Sequence, residues 1–116
     1  MSMSMECPVW YDRLAPLGSA VRYVASLSPE IRWVGIYKSR GGTLVLGPQL
    51  GAPDVRPGQK RIPIGKATDL HLVRKGTEGK VVGALSVQLD ERGGHKLELE
   101  ENIRRIAGEL GNLWPA

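Results

Sequence analysis

Two runs of β-forming residues punctuated by glycine constrain what this chain can fold into more than any other feature. The first reads Trp33-Val34-Gly35-Ile36-Tyr37 and resumes as Leu44-Val45-Leu46-Gly47-Pro48-Gln49-Leu50-Gly51. The second is Gly79-Lys80-Val81-Val82-Gly83-Ala84-Leu85-Ser86-Val87-Gln88-Leu89-Asp90. Runs of β-branched and aromatic residues bounded by glycine are strand signals. Arg40-Gly41-Gly42 is a turn signal, so residues 31–38 and 43–50 should form a hairpin, with the Thr43 strand at a sheet edge. Residues 80–89 are apolar at both parities, which predicts an interior strand beside the Trp33 strand. Two shorter strands are predicted at 60–64, where Pro63 argues for an edge, and at 70–74. Gly- and Pro-rich stretches at 51–58 and 92–94 read as loops.

Amphipathic helices bracket these strands. Trp10, Leu14, Leu17, Val21, Val24 and Leu27 repeat at spacings of three and four, one helical face. Pro16 lies inside that pattern and either bends the helix or opens a shorter one near Ala15. Ser28-Pro29 ends it. Leu99, Ile103, Ile106, Leu110 and Leu113 form a second stripe over residues 96–113, with Gly111 and then Pro115 as the expected stop. Glu98, Glu100 and Glu101 precede Arg104 and Arg105, an order that suits the helix dipole. Helix, five strands, helix predicts an α+β fold: an antiparallel sheet with both terminal helices on one face.

A length of 116 residues predicts a single domain, 1–116. Phe is absent, so the core must rest on Leu, Val, Ile and three Trp. The formal charge is +4, but the basic residues are scattered in short pairs. They lack the clustered footprint that nucleic-acid binding needs, and solubility is the plainer reading. Cys7 is the one cysteine, which excludes an internal disulfide and fits a reducing compartment. The N-terminal residues lack the basic and apolar regions of a signal peptide, and no segment has the length of a membrane span. A cytoplasmic protein without a membrane partner is expected. Two His and one Cys, far apart in sequence, do not resemble a metal-ligand set, and no cofactor is implied.

The strand segments together resemble a GAF domain, and most of all the free methionine-(R)-sulfoxide reductase branch of that family. Trp33 to Tyr37 is similar to the first-strand signature, and Leu46-Gly47-Pro48-Gln49-Leu50-Gly51-Ala52-Pro53 to the second strand and its loop. Arg61-Ile62-Pro63-Ile64-Gly65-Lys66 looks like the Ile-Pro-x-Gly segment. Gly83-Ala84-Leu85-Ser86-Val87-Gln88 sits where the branch has Gly-x-Leu-Asp-x-Asp. The resemblance implies a GAF-like five-stranded sheet, but the chemistry of the branch is missing. Its cysteine positions hold Asp54 and Lys66-Ala67 here, and five residues separate Ile64 from Leu70 where the family has a much longer crossover that closes the pocket. Ser86 and Gln88 replace the acids that would grip the ligand amine. Thiol reduction of a sulfoxide needs a nucleophilic Cys and commonly a resolving one. No enzyme activity is therefore expected.

Period two sorts the long strand into Val81, Gly83, Leu85, Val87 and Leu89 on one face and Val82, Ala84, Ser86 and Gln88 on the other. The second set matches the ligand-facing side of the family. Trp33, Gly35 and Tyr37 should join it, as should Asp69, His71 and Val73. The candidate ligand-binding residues are thus Trp33, Tyr37, Asp69, His71, Ser86 and Gln88. Each also has an ordinary role: core aromatics for Trp33 and Tyr37, solvent-facing sheet positions for His71, Ser86 and Gln88, and a strand cap for Asp69.

The function expected is a non-catalytic GAF-like module that binds a small molecule or acts in regulation. The alternative is a structural domain that forms a homodimer through the lidless sheet face, near Trp33, Val82 and Ala84, or through the helix pair. A degenerate methionine sulfoxide reductase comes third.

Overall fold

The computed structural model describes residues 8–52, 55, 58–67, 70–90 and 97–115. Helix α1 (Pro16–Ser26) is followed by strands β1 (Ile31–Arg40), β2 (Thr43–Gly51), β3 (Arg61–Pro63), β4 (His71–Lys75) and β5 (Lys80–Leu89), and then by helix α2 (Leu97–Asn112). A 3₁₀ turn, Ile64–Lys66, follows β3. The strands form one antiparallel sheet in the order β3-β2-β1-β5-β4. The predicted hairpin closes through Gly41 and Gly42, at φ of 56° and 85°. Positive φ at both turn residues matches the twist of the flanking strands and is open to glycine without strain.

The Trp33 strand and the long strand are neighbours at the centre, as expected. The Thr43 strand is not an edge: β3 pairs with Thr43, Leu44 and Val45 and takes the edge itself. Pro63, at the last position of β3, is compatible with that place because an edge leaves one side of the ladder unpaired.

Both helices lie on one face of the sheet. Leu17, Ala20, Val21 and Val24 of α1 share a core with Leu99, Ile103, Ile106, Ala107 and Leu110 of α2 and with Val34, Ile36, Val73 and Leu85 of the strands. Pro16 opens α1 at its first turn, where a missing N–H costs nothing. The sequence stripe is shortened accordingly: Leu14, ahead of the helix, is 90% exposed. Trp10 is buried from the preceding turn, and its Nε1–H donates to Glu109 Oε1 at 3.2 Å.

Gly111 does not end α2. It is buried within the last turn, against the Arg74 carbonyl of β4, where a Cβ would collide with backbone. Gly108, one turn earlier, has no atom near its would-be Cβ. Gly111→Ala should therefore lower stability by about 1–2 kcal/mol, the overpacking outweighing the gain in helix propensity. Gly108→Ala should raise it by about 0.5–1 kcal/mol. Urea unfolding of the two variants checks the pair; equal effects would show that α2 does not approach β4 at Gly111.

Candidate functional site

Strand pairing decides which candidate residues meet. In the β1–β5 ladder Trp33 faces Gln88, Gly35 faces Ser86 and Tyr37 faces Ala84. These rows lie on the sheet face opposite the helices, so Trp33, Tyr37, Ser86 and Gln88 share one face as predicted. Asp69 lies outside the described residues.

His71 is on the other face. It pairs with Leu85, and two residues on is Val73; both belong to the core under the helices. Its neighbour Leu72 pairs with Ala84 and packs on the Trp33 side. His71 is half-buried, and burial first, then Arg104, lowers its pKa, while Glu100 opposes them. Arg104 and Glu100 belong to α2, which confirms the helix side. Val82 also moves. The β4–β5 register slips between Val73 and Arg74, and Val82 packs against the helix-side core. A bulge inserts one residue and breaks the period-two count.

The face that carries Trp33 is filled by the protein itself. Trp33, Tyr37, Leu44, Ala67 and Ala84 form a second buried cluster, with Leu46, Val55, Ile62, Ile64, Leu70 and Leu72 packed against it. Trp33 is 2% exposed and Tyr37 1%. The indole lies in a socket of glycines. A Cβ on Gly35 would run into its ring and within 2.9 Å of Leu46 Cδ1, one on Gly51 would sit 2.5 Å from Trp33 Cδ1, and one on Gly58 3.0 Å from Cη2. Trp33 Nε1–H donates to Gln49 Oε1 at 3.1 Å, and the Tyr37 hydroxyl donates to the Gln59 carbonyl at 2.6 Å. Both rings thus keep a partner for their polar atom while the rest is desolvated. Burial pushes the Tyr37 phenol above its ordinary pKa, so it stays a donor.

Gln49 was not among the sequence candidates. Gly47-Pro48 carries the signal: the β1–β2 register slips between Gly35 and Tyr37, with the extra residue on β2. The bulge brings Leu44, Leu46 and Gln49 to one face, which unbroken alternation would not. The expected exposed apolar patch at Trp33, Val82 and Ala84 is absent. Trp33 and Ala84 are covered by the chain's own connection, and Val82 faces the helices.

That connection is short. β3 and β4 are the two edges of the sheet, and four interstrand steps of about 4.8 Å put them about 19 Å apart. Residues 64–70 can reach about 25 Å when extended. The connection therefore has little slack, and Ala67 is buried in the Trp33 cluster. Ser86 and Gln88 remain half-buried at the end of the face beyond it. Among the described residues no group of His, Cys, Asp or Glu could hold a metal ion, and no helix is long and apolar enough to cross a membrane. Cys7 lies outside the described residues.

This architecture is the GAF fold. The chain is similar to a protein of Burkholderia vietnamiensis described as a candidate GAF sensor, with a TM-score of 0.66 and 18% identity over 87% of this chain and 76% of that one. It is similar to the reduced form of fRMsr of Staphylococcus aureus, with a TM-score of 0.65 and 19% identity over 90% and 85% of the two chains. A type II free methionine-R-sulfoxide reductase from Thermoplasma acidophilum gives a TM-score of 0.65 and 18% identity over 87% and 89%. No family model and no curated protein matches the sequence.

Two outcomes follow from this geometry. Trp33→Ala should cost about 3–5 kcal/mol, as for a buried aromatic whose cavity cannot collapse, measured by denaturant unfolding. His71 has a folded pKa below its unfolded value of about 6.5, so the folded state binds protons less well there. Its contribution is complete above that value and is lost as pH falls through it towards the folded pKa. The melting temperature should decline over that range, and His71→Gln should flatten the decline.

Proposed function

We propose that this chain is a non-catalytic binding module of the GAF fold. It takes a small polar molecule at the Ser86 and Gln88 end of the face opposite the helices. One observation supports this reading above others: Trp33 and Tyr37 occupy the middle of that face with their own rings. The polar groups beside them are the Ser86 hydroxyl and the amides of Gln88 and Gln49, which donate and accept hydrogen bonds. His71, the one imidazole among the described residues, is across the sheet and so out of reach of Ser86 as a general base. Such a rim can bind and orient a polar ligand against an aromatic wall. Among the described residues it carries no thiol with which to reduce a sulfoxide. Because His71 faces away, binding there should not follow its titration.

A thermal-shift screen of small polar metabolites tests the site. A hit should lose its shift in both Ser86→Ala and Gln88→Ala; a hit that keeps it in both binds elsewhere. Free methionine-(R)-sulfoxide with excess dithiol should not be turned over. Thiol-dependent turnover abolished by Cys7→Ser would overturn the non-catalytic reading.

Self-association is a second reading, but not through the sheet face. It is favoured by Leu97, 63% exposed at the start of α2. Leu97 lines a cleft of about 600 Å³ with Leu27, Pro29 and Leu99. Sedimentation velocity should then show a dimer that Leu97→Glu dissociates; a monomer at high micromolar concentration would exclude it.

A further inference from the structure

On the helix side of the sheet, one corner is left uncovered by α1 and carries charge of a single sign. Lys38 of β1, Val45 of β2 and Arg61 of β3 lie in one cross-strand row, and Arg40 and Thr43 in the next row on the same face. Leu44 and Ile62, between these positions, point to the Trp33 side. Arg40, Thr43, Val45 and Arg61 line a cleft of about 310 Å³. The two arginines come from strands on either side of β2, so their guanidinium groups converge over Thr43 and Val45.

Among the described residues no acid lines this cleft. Among the described residues no side-chain hydrogen bond or ion pair engages Lys38, Arg40 or Arg61. Lys38 and Arg61 stand two interstrand steps apart, about 10 Å, a separation comparable to a Debye length, at which like charges are only partly screened. Among the described residues the corner is therefore a positive potential without a paired counter-charge.

Lys38 also lines a second cleft, of about 340 Å³, with Ala15, Pro16, Leu17, Pro48 and Pro115. This one is apolar, and its wall is the first turn of α1. No side chain caps that turn, so its free N–H groups add positive potential at the junction. Asp12, on the approach to the helix, has its Oδ1 engaged by Leu14 N–H at 2.9 Å.

We propose that this corner binds a phosphomonoester with an apolar substituent. The phosphoryl group is held by Arg40, Arg61, Lys38 and the Thr43 hydroxyl, and the substituent lies along Pro16, Pro48 and Pro115. Arginine forks hold phosphoryl oxygens in pairs of charge-assisted hydrogen bonds. Thr43 adds a neutral donor between them. The site is on the opposite face from Ser86 and Gln88 and does not depend on the reading given above for them. A soluble phosphomonoester and a lipid head group would present the same chemistry.

The test is a titration of the ¹⁵N-labelled full chain with inorganic phosphate and with hexyl phosphate, followed by amide shifts. Hexyl phosphate should move the amides of residues 38–45, 61 and 16–18 and bind at least about tenfold tighter than inorganic phosphate, about 1.4 kcal/mol for its apolar part. Arg40→Glu and Arg61→Glu should each weaken it about tenfold or more. Arg105→Glu, the same charge change on exposed α2, should leave it unchanged, as should Ser86→Ala. Arg40→Gln, which does not add a negative charge, guards against misfolding and should also weaken binding. Co-sedimentation with phosphatidic acid vesicles and not phosphatidylcholine vesicles, lost in Arg40→Glu, would assign the group to a lipid. Hexyl phosphate binding without vesicle capture would assign it to a soluble ester. No amide shift with hexyl phosphate, or equal weakening by Arg105→Glu and Arg40→Glu, would overturn the proposal.

Discussion

The burial of one indole organises the sheet face opposite the helices. Trp33 projects from the middle strand into a space that three glycines, Gly35, Gly51 and Gly58, leave free of side chains. A large flat ring can lie against backbone only where the backbone carries nothing. The same burial explains the contacts around it. Gln49 receives the indole N–H, and Tyr37, two residues along β1, is tied to the carbonyl of Gln59 in the stretch that returns over the ring. A buried donor left unpaired would cost about 1–3 kcal/mol, so the loop after β2 and the indole hold each other in place.

The short crossover works with the same constraint. The connection between β3 and β4 must travel from one edge of the sheet to the other with little length to spare. It lies against the sheet, and Ala67 meets the Trp33 cluster directly. A longer connection could arch and enclose a cavity. This one leaves polar hydrogen-bonding groups at one end of the face and no room in the middle. Sequence comparison with the sulfoxide reductases suggested an open, lidless surface. Packing instead replaced the missing lid with the chain's own aromatic rings.

The two faces consequently differ in character. The helix side holds the larger core, from Trp10 to Leu110, and α2 comes close enough to β4 to require Gly111. Helix α1 leaves the far corner of β1, β2 and β3 bare, and Lys38, Arg40 and Arg61 are exposed there together. His71 sits under α2 as a half-buried imidazole whose neighbours are core residues and helix charges. It belongs to the stability of the molecule and not to the polar rim on the other side.

Local rules in the sequence determined the elements. Spacings of three and four specified the helices, Gly41-Gly42 specified a two-residue hairpin, and Pro16 marked either a bend or a start, which the structure resolves as the start of α1. Together these led to the α+β layout with both helices on one face. The departures from the reductase pattern at Asp54, Lys66-Ala67, Ser86 and Gln88 were also legible, because they are identities of residues in order. The sides of the sheet were not all legible. The run His71-Leu72-Val73 is apolar at both parities, so alternation could not say which member faces the helices; pairing with Leu85 on β5 decided it. Bulges at Gly47-Pro48 and at Val82 each displaced the count by one, bringing Gln49 to the indole and turning Val82 away. Only the tertiary structure determined that Trp33 fills its own face. A side chain's face depends on the register of its strand, and its burial depends on what the rest of the chain lays over it, and neither is a property of the local segment.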